Sequence, residues 1–445
     1  MATDLLIQNG YLLVNAETGT IREACYVAVE DGLVTEIGAM DDMPATLQDS
    51  ARVIDATGCL IMPGIVNAHT HLAGNFFRGV IEEEIAGLHT IAFPVEQHFE
   101  SEDVYWLALL GLIEVVKAGC TTVNDIYYFA DRLAGACQQV GVRAVLAEKI
   151  FDADFIEIQH ERYVRRPEQR QEKIQRGVSL VENWHGASNG LITTRMGPHA
   201  PDTCSEDMLR EVLAESERLG VGLHIHTAQN PREMDLIREE HGCSAIEYLD
   251  RLGYLSPAMI GVHGRFNTPS DNDLMAARGA KLAYCPTVYP RRGAVPPLWD
   301  FTRAGLDVGF GTDWIIMDPW DGLRHAMYWY RAATGDWNDM QAREALALHT
   351  VGGANILGLD VGILEPGKPA DIILLDLEQP HFTPFYGNLA GILYHASRHD
   401  VRTTIVNGQV IMDQGRVLNV DEDEVVREVQ RRVPRFRQWL ATVDR

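Results

Sequence analysis

The sequence predicts an α/β protein: a (β/α)₈ barrel carrying a small β-sandwich domain assembled from both chain ends. Three observations lead there. Apolar, β-rich runs alternate with helical stretches through the middle of the chain, the pattern of βα units around a parallel sheet. Strand-rich segments punctuated by turn residues stand at both termini. With 445 residues, 46% of them hydrophobic, the chain exceeds the ~250 residues of a bare barrel and can bury a further layer.

Residues 1–57 read as short strands. Leu5-Leu6-Ile7-Gln8 runs into Asn9-Gly10, a hairpin signal because both residues tolerate the left-handed backbone of a tight turn. Tyr26-Val27-Ala28-Val29 leads into Glu30-Asp31-Gly32, and Leu33-Val34-Thr35-Glu36-Ile37 follows. The same grammar returns in Ala370-Asp371-Ile372-Ile373-Leu374-Leu375 and in Thr403-Thr404-Ile405-Val406, closed by Asn407-Gly408. The outer domain is therefore expected at 1–57 plus 362–420, the barrel at 58–361, and a terminal helix at 421–445. In that helix Arg427, Arg431, Arg432, Arg435 and Arg437 alternate with Val426, Val429, Val433, Phe436 and Leu440. The arginines read as its wet face, with a kink expected at Pro434.

The eight barrel strands are expected at 65–71, 121–125, 143–148, 191–199, 222–229, 260–265, 281–286 and 307–313. Helical signals fall between them. Ser101-Glu102-Asp103 caps a helix through Leu107, Leu110, Ile113 and Val116 that ends at Gly119. Residues 203–219 carry Leu209, Val212 and Leu213 at helical spacing and stop at Gly220, and 344–348 begin a further helix.

Composition excludes several functions. A net charge of −25, from 38 basic against 63 acidic residues, offers no Lys/Arg surface for a phosphate backbone. No apolar run approaches the ~18 residues that span a bilayer, and Met1-Ala2-Thr3-Asp4 begins no signal peptide. Seven scattered cysteines without a C-x-x-C suit core thiols in a reducing, cytoplasmic setting.

Reactive groups of a (β/α)₈ barrel sit at the C-terminal ends of its strands. His69-Thr70-His71 ends the first strand, His199 the fourth and Asp313 the eighth, while His224-Ile225-His226 lies in the fifth and His263 near the end of the sixth. Alternation turns His69 and His71 to one side, where both can face a single metal. Imidazole and carboxylate suit zinc and its neighbours. A lone H-x-H says little, but such residues at the ends of five strands are hard to assign to packing. His224 and His226 also share a side, and a metal needs only one of them.

Met62-Pro63-Gly64-Ile65-Val66-Asn67-Ala68-His69-Thr70-His71-Leu72 resembles the strand-1 signature of the amidohydrolase superfamily. More narrowly it is similar to the branch of cytosine and guanine deaminases, adenosylhomocysteine deaminases and s-triazine chlorohydrolases. Gly197-Pro198-His199-Ala200-Pro201, His224-Ile225-His226, Val262-His263, Gly311-Thr312-Asp313 and the run from Val361 to Asp371 match in the same order. The resemblance implies that His69, His71, His226 and Asp313 bind one divalent cation, with zinc expected and Fe²⁺ or Mn²⁺ open to the same ligands. It further implies that His263 and Asp313 activate water, that His199 orients a small-molecule substrate, and that the protein is a homodimer or larger homo-oligomer. Where binuclear relatives place a bridging carboxylated lysine, this chain has Thr193-Thr194-Arg195-Met196. Lys149, just past the third strand, matches that role poorly, so one metal is expected.

Two departures stand out. Deaminating relatives carry a Glu three residues after the strand-5 metal ligand, whereas this chain reads His226-Thr227-Ala228-Gln229. An amide forms hydrogen bonds but moves no proton near pH 7, and losing a general acid or base lowers a rate by roughly 10²–10⁴-fold. Glu233 and Asp235 follow closely, where their charge also suits a helix N-terminus. After the seventh strand, Cys285-Pro286-Thr287-Val288-Tyr289-Pro290-Arg291-Arg292-Gly293 replaces the substrate-reading Asn-x-x-Leu loop of those relatives. Arg291 and Arg292 are candidates for clamping an anion, and Phe76, Phe77 and Trp314 for stacking on a flat ring. The expected reaction is attack by hydroxide, generated on the cation, at an electron-poor carbon of a small, flat heterocycle, with deamination foremost. Alternatives are displacement of a group such as halide that departs unprotonated, a metal-dependent lyase or isomerase, and a silent binding subunit.

Overall fold

The computed structural model describes residues 3–84, 87–290, 293–294 and 297–443, which form two sheets. The N-terminal stretch supplies β1 (Leu5–Leu13), β2 (Ile21–Glu30), β3 (Leu33–Ala39), β4 (Arg52–Asp55) and β5 (Cys59–Pro63). The middle supplies β6 (Ile65–Thr70), β7 (Cys120–Tyr127), β8 (Arg143–Ile150), β9 (Ile192–Pro198), β10 (Leu223–Thr227), β11 (Met259–His263), β12 (Lys281–Tyr284) and β13 (Val308–Phe310). The C-terminal stretch adds β14 (Ile372–Asp376), β15 (Val401–Val406), β16 (Gln409–Asp413) and β17 (Arg416–Val417).

The outer sheet runs β17-β16-β15-β14-β5-β1-β2-β3, with β4 beside β1. Its two halves meet where β14 pairs antiparallel with β5, from Ile372 opposite Pro63 to Asp376 opposite Cys59. Alternate residues Leu5, Ile7, Val27, Val29, Ile61, Ile372, Leu374 and Ile405 share one buried core, as a period of two requires of a sheet curled over its own face. Arg143 on β8 ties this layer to the barrel through a buried fork onto Asp371, at 2.8 and 3.0 Å.

The two Asn-Gly pairs behave differently. Asn407-Gly408 is the tight turn between β15 and β16, with φ of 48° and 75° and Val406 opposite Gln409. Asn9-Gly10, expected to be a hairpin, instead lies inside β1, where Asn9 has φ 67° and the register with β2 shifts at Gly10. The chain continues because Tyr11 and Leu12 pair onward with Leu60 and Ile61 of β5. Gly10 leaves the room that Ile61 fills, since a Cβ there would sit 2.7 Å from its Cδ1. The result is a bulge, not a reversal.

In the barrel, β6 to β13 lie side by side in chain order, all parallel. A bridge between Thr70 and Asp313 closes it, supported by Asp313 N–H donating to the His69 carbonyl at 3.0 Å. Gly311 stands at this closure, where a Cβ would come 2.5 Å from that same carbonyl oxygen; no larger residue fits. Asn67 secures the seam by donating to Thr312 Oγ1 (2.8 Å) and accepting from Thr312 N–H (3.0 Å).

The helix Ser101–Lys117 has its cap one residue earlier than expected, in a capping box between Glu100 and Asp103. Glu206–Leu219 is capped by Ser205 and ends on left-handed Gly220. The terminal helix Glu422–Leu440 runs through Pro434. Its arginines are not all a wet face: Arg432 and Arg435 reach buried Asp103, while Phe436 packs on Phe76 at 4.7 Å. Among the described residues all seven cysteines are buried and unpaired, and no helix is long and apolar enough to cross a membrane.

Candidate active site and metal centre

The seam of the barrel brings the expected ligands together. His71 Nε2 lies 3.3 Å and His69 Nε2 3.6 Å from Asp313 Oδ1. His71 Nδ1 is 2.8 Å from the Ile126 carbonyl, and His226 Nδ1 is 2.9 Å from the His199 carbonyl. A carbonyl only accepts, so both Nδ1 atoms are protonated and both Nε2 atoms carry lone pairs. His69 Nε2 is buried with no hydrogen-bond partner. Behind it, His224 Nε2 lies 3.0 Å from His69 Nδ1 and fixes that ring from its far side.

Burial pushes His69 and His226 down to about 3, His69 adding to the effect at His226, and holds His71 well below the ordinary imidazole range. These rings are neutral at physiological pH. Ligand atoms of His69, His71 and Asp313 lie within 4.8 Å of one another, as do those of His69, His226 and His263. Lone pairs and a carboxylate facing one another across so short a gap repel unless a cation stands between them, and neutral imidazole is the ligating form. The residues therefore fit a divalent ion. Cys285 also approaches His263 and Asp313, but burial pushes its thiol well up and keeps the proton on sulfur, which makes it a poor ligand.

Local backbone reinforces the arrangement. Ala228, His263 and Asp313 have φ of 46°, 81° and 58°, a left-handed conformation that costs a non-glycine residue about 1–3 kcal/mol. Each stands at or just beyond the end of β10, β11 or β13 and redirects the chain around one cavity of about 350 Å³. That volume suits a small molecule.

His71, His199, His226, Gln229, His263, Asp313 and Trp314 all line the cavity. The His199 ring is held by Thr203 Oγ1 at 2.8 Å. Phe76 and Phe77 turn away from it: Phe76 packs on Phe99 and Phe436, and fully buried Phe77 sits edge-on to Trp314 at 5.6 Å. Arg291 and Arg292 lie outside the described residues. Arg232 and Arg265, which carried no motif in the sequence, line the cavity instead. Glu233 serves the site from behind. It lies in the first turn of the helix Pro231–His241, and its carboxylate accepts from Ala228 N–H and Gln229 N–H, both at 2.8 Å. Asp235 is exposed beside Arg238.

Glu96 and Tyr127, which carried no motif in the sequence, also line the cavity, beside Lys149, which the sequence offered only as a metal-bridging residue. Lys149 belongs to β8 itself, not to the loop beyond it, and its Nζ donates to Glu96 Oε2 at 2.9 Å. Tyr127 Oη donates to Glu96 Oε1 at 2.8 Å. The available signal for Lys149 was a charged pair, Glu148-Lys149, near the end of a mostly apolar strand.

Comparison with known proteins joins this geometry at residues 60–411, which match the profile of the amidohydrolase family. The chain belongs to that family. A 5'-deoxyadenosine deaminase of Methanosarcina acetivorans is 34% identical over 96% of this chain and 97% of its own. A 5-methylthioadenosine/S-adenosylhomocysteine deaminase of Desulforudis audaxviator is 35% identical over 97% and 99%. The solved structure of an adenosine deaminase from Xanthomonas campestris with bound zinc superposes with a TM-score of 0.89 at 27% identity, covering 98% of this chain and 99% of that one. The zinc-complexed atrazine chlorohydrolase of Arthrobacter aurescens TC1 shares the fold, with a TM-score of 0.85 at 21% identity over 97% and 100%. This amidohydrolase is thus a metal-dependent hydrolase of small molecules.

Proposed function

We propose that the chain is a zinc-dependent deaminase of amino-substituted nitrogen heterocycles. The observation that carries the reading is that ligand atoms of His69, His71 and Asp313, and of His69, His226 and His263, lie within 4.8 Å of one another beside a cavity of ligand size. The names of the relatives direct it towards rings such as adenine.

His69, His71, His226 and Asp313 would hold the ion, which supplies the Lewis acidity that makes water a nucleophile near neutral pH. His263 and Asp313 accept the proton that water loses as its oxygen attacks the amino-bearing carbon. His199 hydrogen-bonds the ring, and Trp314 covers one face of it. The carbon–nitrogen bond then breaks, the same proton passes from His263 or Asp313 to the departing nitrogen, and ammonia leaves. Gln229, held towards the cavity by the Glu233 clamp, grips a ring atom without transferring a proton.

Gln229 is also the specific observation that favours a second reading, displacement of a group that leaves unprotonated. Incubating zinc-reconstituted enzyme with matched aminated and chlorinated azines, 6-aminopurine nucleosides included, separates the two. Ammonia release supports deamination, chloride release without ammonia supports displacement, and neither product from folded, metal-loaded enzyme overturns both. A cytoplasmic homodimer or larger homo-oligomer is part of the same proposal, and sedimentation of the purified chain tests the assembly.

A further inference from the structure

The cavity wall at the ends of β7 and β8 carries a charged corner that the reaction above does not use. The Lys149 side chain is 4% exposed and lines the cavity. Its ammonium is paired with Glu96 at 2.9 Å, and the rings of Tyr128, Phe93 and Phe155 stand 4.6, 4.8 and 5.3 Å from Nζ. Such ring faces attract a cation. Both Glu96 oxygens accept hydrogen bonds, one from Lys149 and one from Tyr127.

Stability alone does not account for this arrangement. Replacing a buried ion pair with apolar side chains of similar volume is often neutral or favourable, and aromatic residues already surround it. The pair also sits on the working surface: Phe93, which meets Lys149, lies edge-on to His199 at 5.4 Å. An ammonium has three N–H donors, of which Glu96 takes one.

We propose that Lys149 is a specificity-determining residue that donates a hydrogen bond to an acceptor oxygen on the substrate, either a ring oxo group or a carboxylate substituent. Glu96 keeps the ammonium in place, and the aromatic box prevents it from swinging out to water. The inference rests on the deaminase reading. It narrows the substrate from any aminated azine to one oxygenated away from its amino group. A site built around a buried donor rejects an analogue that lacks the acceptor, here by roughly 10²-fold or more in kcat/KM.

The test uses zinc-loaded, full-length enzyme and matched amino-azines bearing an oxo group, a carboxylate or hydrogen at the same ring position. The wild-type chain is expected to prefer an oxygenated member by roughly 10²-fold, and the preferred member identifies which oxygen is read. In Lys149→Met that ratio should fall to near 1. An unchanged ratio, with all members slowed alike, marks a structural role and overturns the proposal. Competitive inhibition of the wild type by the corresponding non-hydrolysable oxo, carboxylate and plain azines gives the same comparison without a variant, and equal inhibition constants overturn the proposal as well. Ammonia release from any member keeps the deaminase reading standing whatever the ratio, so the two claims fail separately.

Discussion

The two walls of the cavity solve opposite electrostatic problems. At the seam between β13 and β6, His69 and His71 bring their Nε2 atoms to 3.6 and 3.3 Å from Asp313 Oδ1, a donor set that suits a divalent cation. At the ends of β7 and β8, a cation, a carboxylate and a phenol already satisfy one another inside an aromatic box. The first wall is a set of ligands for a cation. The second needs nothing, and what it offers a substrate is a spare donor in a fixed place. A barrel can thus keep its chemistry and its selectivity on separate strands, and each can be broken without the other.

The largest expected effect comes from breaking the seam. Asp313→Ala removes a ligand and a proton acceptor together, so turnover should fall about 10⁴-fold and bound metal should drop with it, as elemental analysis would read. Gln229→Glu places a proton-transferring group on the cavity. Ammonia release should rise by roughly 10²-fold and gain a new limb in its pH profile; an unchanged rate and profile would place the substrate's reacting nitrogen elsewhere. His224→Phe leaves the first ring of ligands complete but frees the His69 ring behind it. Metal affinity should weaken by about 10–100-fold in competition with a chelator.

The smallest expected effect is on stability. Asp125, at the end of β7, is fully buried; one oxygen accepts from Leu72 N–H at 2.6 Å and the other has no partner. Burial raises its pKa to about 8. The folded state therefore favours the protonated form. Its contribution is present below the ordinary carboxylate range and is lost as pH rises towards about 8. Asp125→Asn should flatten the fall in denaturation midpoint between acidic and mildly alkaline buffer, and an undiminished slope would assign the fall to other groups.

How far the sequence reached follows the same division. His69 and His71 were legible because strand alternation sets their direction within three residues, and Asp313 because it follows closely on the last strand. The Glu96–Tyr127–Lys149 corner was not, since its members come from three elements and meet only through tertiary packing. Phe76 and Phe77 failed as pocket residues for a related reason. Proximity to His71 in the chain says nothing of the terminal helix, whose Phe436 claims that face. Asn9-Gly10 shows the limit of local signals in the outer sheet: the turn chemistry was correct, but pairing with β5 kept the strand running.

One measurement bears most directly on the whole picture, the metal content of fully active enzyme before and after chelation. We expect one divalent ion per chain, loss of turnover when it is stripped, and recovery on adding zinc back. Full activity in ion-free protein would contradict it.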